Sequence, residues 1–235
     1  MLILTALATL VGHCAVPPSP SQFTVIIDPG HGGKDQGAPA IVQGRFEKEA
    51  TLRIARLIAA RLSLEKDTSA ILTRDNDLYL SLAQRRNIIT SCKADLVVSI
   101  HADSGPITAQ GPSIYVLNEA GEAIVVNRMT SKYPYMPDND TAYILANLEQ
   151  RASINLAAKI AARVRRRLGD VAERIRVQKT ANFALLKSPG VPSILIETGF
   201  VTNLKDAMLL FNVHGQSALA DAIAGPIIES AMNFK

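Results

Sequence analysis

The chain has 235 residues, 48% of them hydrophobic and 20% charged, with a net charge of +4. That is enough apolar material for one sizeable core and too little for two large ones, and the charged fraction excludes wholesale disorder. The basic excess is mild and no Lys/Arg block is interleaved with aromatics, which argues against nucleic acid as a partner and leaves an acidic polymer as a compatible substrate.

The opening stretch MLILTALATLVGHCAV carries no charge. Its apolar part, Leu2 to Gly12, is too short for a membrane span and reads as the apolar region of a secretion signal cut before the PPSPSQ linker. Residues 1–22 are thus expected to be signal peptide and linker, and 23–235 the functional domain, with no membrane span in the mature chain. No basic residue precedes the apolar run. Cys14 raises lipid attachment, although His13 is not the small residue such sites favour. Cys92 is the only other cysteine. With the signal removed it would stand alone, so no internal disulfide is expected and Cys92 reads as a small buried filler.

Phe23 to Ile27 is a β-branched run that stops at Asp28-Pro29-Gly30, a strand and its turn. Glu47 to Leu62 places Leu52, Ala55, Ile58 and Leu62 at helical spacing. Ser69 to Thr73 reads as a strand and Ser81 to Cys92 as a helix. Leu96 to Ile100 is a third strand that runs straight into His101, and Ser113 to Leu117 a fourth. Residues 118 to 140 show no clean period, and Pro134 and Pro137 argue against a long helix there. A long helix follows, with Leu148, Ala152, Leu156, Ile160, Val164 and Leu168 stepping by four and Gly169 as its C-cap. Arg163, Arg165, Arg166 and Arg167 crowd its end, where they complement the helix dipole as a solvated cluster. Ile194 to Ile196 runs into Glu197, and Gln216 to Met232 closes the chain as an amphipathic helix.

The strands are continuously apolar, as they are when both sheet faces are covered. The expected fold is an α/β three-layer sandwich with a mostly parallel sheet flanked by helices. Ligands collect at the carboxyl ends of such strands, and His31, His101 and Glu197 each follow directly on one. Two imidazoles and one carboxylate with an open fourth position are the ligand set of a catalytic zinc site. His31 and His101 are the imidazoles. Glu47 and Glu49 are equally eligible as the carboxylate, and both also suit a first helical turn. Glu197 ends an apolar run and would be buried, which is costly without compensation by a metal, a water, an arginine or a raised pKa. A glutamate beside a metal-activated water is a natural general base.

The stretches IIDPGHGGKDQGA, EKEATLRIARLIAARL, LTRDNDLYLSLAQRRNIITSCKADLVVSIHAD and VPSILIETGFVTN, in this order, resemble the zinc-dependent N-acetylmuramoyl-L-alanine amidases of the cell-separation and spore-germination type. The likeness runs from about Phe23 to the C-terminus. It implies a sheet of about six strands, one Zn2+ held by His31, Glu47 and His101, and Glu197 as the catalytic residue. It also implies hydrolysis of the amide between N-acetylmuramic acid and L-alanine in peptidoglycan, in a periplasmic or secreted setting. Asp28 or a backbone carbonyl is the expected partner of the other His31 nitrogen. The stretch ILANLEQRASINLAAKI resembles the helix that follows the regulatory insertion of the cell-division members. In those, a helix blocks the zinc until a divisome-associated activator displaces it. Residues 118 to 140 occupy that place, with Glu119 and Glu122 as candidate autoinhibitory ligands. The alternatives are a zinc peptidase or deacetylase acting on another amide, and a non-catalytic wall-binding module, which would be expected to lack one of the four site residues.

Overall fold

The computed structural model describes residues 14, 18–132, 136 and 138–232. Six strands form one sheet: β1 (Phe23–Pro29), β2 (Thr68–Leu72), β3 (Leu96–Asp103), β4 (Ser113–Leu117), β5 (Lys179–Ala181) and β6 (Ser193–Phe200). Their order is β2-β1-β3-β6-β4-β5. All neighbours run parallel except β4, which is antiparallel to β6. The helices are α1 (Glu47–Leu62), α2 (Leu82–Ser91), α3 (Glu119–Met129), α4 (Asn139–Gly169), α5 (Leu204–Phe211) and α6 (Val213–Met232).

The continuously apolar strands serve two faces. Val25, Ile27, Val98, Ile100, Ile194 and Ile196 join the larger core beneath α1, α6 and the later turns of α4. Ile26, Val97 and Leu195 point the other way, toward smaller cores closed by α2, α3 and the 3-10 turn Leu185–Lys187. Alternation of side chains along a strand sorts an unbroken apolar run in this way. Ile54, Ile58 and Leu62 of α1 are fully buried, each contributing about 1.5–3 kcal/mol. They fix the helix whose first residue is Glu47.

Several expectations need correction. Part of the region read as irregular is α3. Asn118 caps it by accepting from the Gly121 N–H at 2.9 Å, and Val125, Val126 and Met129 bury its inner face. Leu148 is 61% exposed and Ala152 is also exposed. The inward line of α4 instead runs through Ala146, Gln150, Ser153, Ala157, Ile160, Ala161, Val164 and Leu168. Gly169 is the last helical residue, and Asp170, at φ −81°, is the cap. The run Leu2–Gly12 and the prolines Pro134 and Pro137 lie outside the described residues.

Cys92 is buried as expected but is not alone: it forms a disulfide with Cys14, with Cα atoms 5.3 Å apart. Cys14 packs beside the Ile26, Ile88 and Ile89 cluster. A thiol engaged in this bond carries no lipid. A leader ending before residue 14 is compatible with the pairing, and one ending after it is not.

Candidate metal centre

The carboxyl ends of β1 and β3 and the N-terminus of α1 meet at one point. His31 follows β1, His101 lies near the end of β3, and Glu47 opens α1. Glu47 stands between the two imidazoles. His31 Nε2 is 3.0 Å from its Oε2, and His101 Nδ1 is 3.0 Å from its Oε1. One potential ligand atom from each of the three residues lies within 4.8 Å of the others.

The structure also separates Glu47 from Glu49. Glu49 turns back to accept the Phe46 N–H at 3.0 Å and pairs with Arg45 at 2.8 Å. It serves as the helix cap, a role open to the third residue of a helix. Glu47 faces inward, where its oxygens also accept the N–H groups of Ala38 and Ala102, each at 3.1 Å. Against the cost of burial, the hydrogen bonds from His101 and His31 hold this carboxyl well below the usual range. Both rings thus favour its ionised form. The bond to Glu47 raises His31 to about 8; burial opposes this and Asp35 adds to it.

His31 is held in the left-handed region at φ +62°, a conformation that costs a non-glycine residue of order 1 kcal/mol or more. The surrounding bonds explain why it persists. Arg85 donates to the carbonyls of Pro29 at 2.7 Å and His31 at 2.6 Å. Arg74 donates to those of Pro29 at 3.1 Å and Gly30 at 2.6 Å, and Thr51 Oγ1 also donates to Gly30 at 2.9 Å. Both arginines are buried. Three successive carbonyls of the loop are thus tied down by charge-assisted bonds. Glycine is required at two places here. A Cβ on Gly30 would collide with the His101 ring, and one on Gly37, at φ +67°, would sit 2.7 Å from Glu47 Oε2.

Asp28 does not orient His31. Its carboxylate pairs with Arg85 at 2.7 Å and accepts from Thr73 at 2.6 Å and Ser99 at 3.1 Å. Asp28 thereby anchors the arginine that grips the loop. The partner of His31 Nδ1 is Asp35, at 2.9 Å. Sequence reading missed Asp35, Arg74 and Arg85. All three lie inside the motif stretches, and Asp35 is four residues after His31, near enough to fold back around a Gly-Gly turn.

Glu197 is the register partner of His101 across β3 and β6. It lines the same cavity of about 610 Å³ as His31, Glu47 and His101, with Tyr79 and Phe183 also on its walls. Burial pushes Glu197 up to about 7; the His101 charge opposes this, and those of Glu47 and Asp103 add to it. Glu119 and Glu122 lie in the first turn of α3. Glu122 accepts from Arg151 of α4 at 3.2 Å, and neither residue lines the cavity. The arginine cluster also stands apart: Arg165 donates to the Arg176 carbonyl at 2.8 Å.

Two imidazole nitrogens and an ionised carboxylate converging at strand ends, beside a buried glutamate, define the class of site used by metal-dependent hydrolases. The N-acetylmuramoyl-L-alanine amidase family model matches residues 25–229, and the chain belongs to that family. It is 32% identical to the N-acetylmuramoyl-L-alanine amidase AmiA of Salmonella typhimurium over 88% of this chain and 76% of that protein. It is 31% identical to the probable amidase AmiB of Haemophilus influenzae over 79% of this chain, spanning only 47% of that relative's length. Among solved structures, AmiC2 of Nostoc punctiforme superposes with a TM-score of 0.66 at 30% identity, covering 88% of this chain and 96% of that one.

Proposed function

We propose that the protein is a zinc-dependent peptidoglycan hydrolase that cleaves the amide between the lactyl group of N-acetylmuramic acid and L-alanine. The observation that carries this reading is the bridge of Glu47 between His31 and His101, with Glu197 in the same cavity. The donor set fits the metal: two borderline-soft nitrogens and one anionic oxygen, close enough to converge on one ion. Bound there, zinc supplies Lewis acidity, which makes water a nucleophile at neutral pH.

The chain's own residues do the rest. Asp35 fixes the His31 ring through Nδ1, so that Nε2 points to the site. Arg74 and Arg85 hold the loop from which that ring projects. Glu197 takes a proton from the attacking water at its carboxylate and returns it to the leaving amine nitrogen of L-alanine. Its elevated pKa, about 7, brings it near the value at which such a transfer works in both directions at neutral pH. Family membership favours the muramoyl amide over the amides of a peptidase or deacetylase. The presence of all four site residues disfavours a non-catalytic wall-binding module.

We place the protein in the periplasm or outside the cell. The Cys14–Cys92 disulfide supports an oxidising compartment. Cell separation is the biological setting that the family likeness suggests, with peptidoglycan as the partner polymer. Product analysis tests the substrate. Digested muropeptides should yield a glycan ending in a free lactyl carboxylate and a peptide with an L-alanine amino terminus; cleavage of any other bond would refute the assignment.

A further inference from the structure

We infer that Ser113 is a positioning residue for Glu197, its hydroxyl supplying the hydrogen bond that the buried carboxyl oxygen of Glu197 otherwise lacks. The inference rests on the reading of Glu197 as the base.

Among the described residues, three buried side-chain polar atoms have no hydrogen-bond partner: Asp75 Oδ1, Ser113 Oγ and Glu197 Oε2. Two of the three belong to paired positions, because Ser113 is the register partner of Glu197 where β4 and β6 run antiparallel. Directly opposed residues in such a pair leave the same face of the sheet, with Cβ atoms about 4.5–5.5 Å apart. A serine hydroxyl at that spacing reaches a glutamate oxygen after a rotation between staggered side-chain positions, or through one bridging water. His101 flanks Glu197 on the other side, so His101, Glu197 and Ser113 form a row across three strands. The outer members would hold the middle one.

Chemistry suits the hydroxyl to this place. It donates to an ionised carboxylate and accepts from a protonated carboxyl, so it can serve Glu197 before and after the proton moves. Ser113 is fully buried. Fixing Oε2 leaves the other carboxyl oxygen to meet the water and the leaving amine.

The test compares Ser113→Ala, Ser113→Thr and Glu197→Gln in the zinc-loaded protein on purified muropeptides, with zinc content and thermal melting measured in parallel. Ser113→Ala should keep its fold, its zinc and its KM, and lose kcat by about tenfold or more. The acid limb of its kcat should move to higher pH, since a donor favours the ionised base. Ser113→Thr, which keeps a hydroxyl, should retain most of the native kcat; if its extra methyl prevents folding, the alanine result decides alone. Native kcat and an unmoved limb in Ser113→Ala, with Glu197→Gln inactive, would overturn the role of Ser113 and leave the base reading intact. Full activity in Glu197→Gln would overturn both. Loss of melting temperature and zinc in Ser113→Ala, with no shift of the limb, would show a structural role only and also overturn the inference.

Discussion

Burial of the Glu197 carboxyl pushes its pKa up to about 7. A protonated Glu197 cannot accept a proton, so kcat should fall as pH drops through its pKa. The positive charge of a bound ion pulls that value down, so the limb of the loaded protein should lie at or below about pH 7. Glu197→Gln should keep the metal and lose at least about 100-fold in kcat; near-native turnover would remove Glu197 from the mechanism. At this scale the sequence was informative about position and poor about partnership. His31, His101 and Glu197 were legible because each follows an apolar run, although β3 and β6 continue past His101 and Glu197 to Asp103 and Phe200. Glu47 and Glu49 were not separable by spacing. What separates them is that Glu49 is drawn to Arg45 and the Phe46 N–H, while Glu47 is drawn inward by two backbone donors and two rings. Asp28 or a backbone carbonyl was the expected partner of His31, but Arg85, fifty-seven residues on, claims Asp28, and Asp35 pairs with the ring.

The elements that carry site residues were those most readable, since α1 has a clean helical period and β1, β3 and β6 contain unbroken apolar runs. α3 was not readable because its inward residues are few and Gly121 interrupts it; Asn118 and the contact with α4 supply the stability that periodicity does not show. α5 is eight residues long and depends on its Asn203 cap, whose side chain accepts from Lys205 N at 3.0 Å and Asp206 N at 3.2 Å. The position of α3 bears on regulation. Its Glu122 is tied to Arg151 and neither Glu119 nor Glu122 reaches the cavity, so an autoinhibitory plug built on these two carboxylates has no support. Glu119→Gln and Glu122→Gln should each leave turnover of muropeptides within about twofold of native, since Glu119 is exposed and Glu122 is held by Arg151 away from the cavity. A tenfold rise in either variant would restore the plug.

For the whole molecule, the disulfide joins a residue ahead of the domain to the C-cap of α2, closing a sequence separation of 78 residues. Constraint of a loop that long in the unfolded chain is worth about 4 kcal/mol on the entropic model. Cys92→Ser should therefore lower the melting temperature by roughly 10 °C, and the native protein should show the bonded pair in a non-reducing peptide map. An unchanged melting temperature, or a map with free thiols, would contradict the pairing. α2 carries Arg85, so the same bond braces the helix that grips the His31 loop.

His31, Glu47 and His101 are proposed to hold one metal ion together. Elemental analysis of the purified protein and of His101→Ala, after dialysis against limiting zinc, tests it most directly. The native protein should carry about one zinc per chain, and the variant should lose most of that occupancy. Full zinc content in His101→Ala, or none in the native chain, would contradict it.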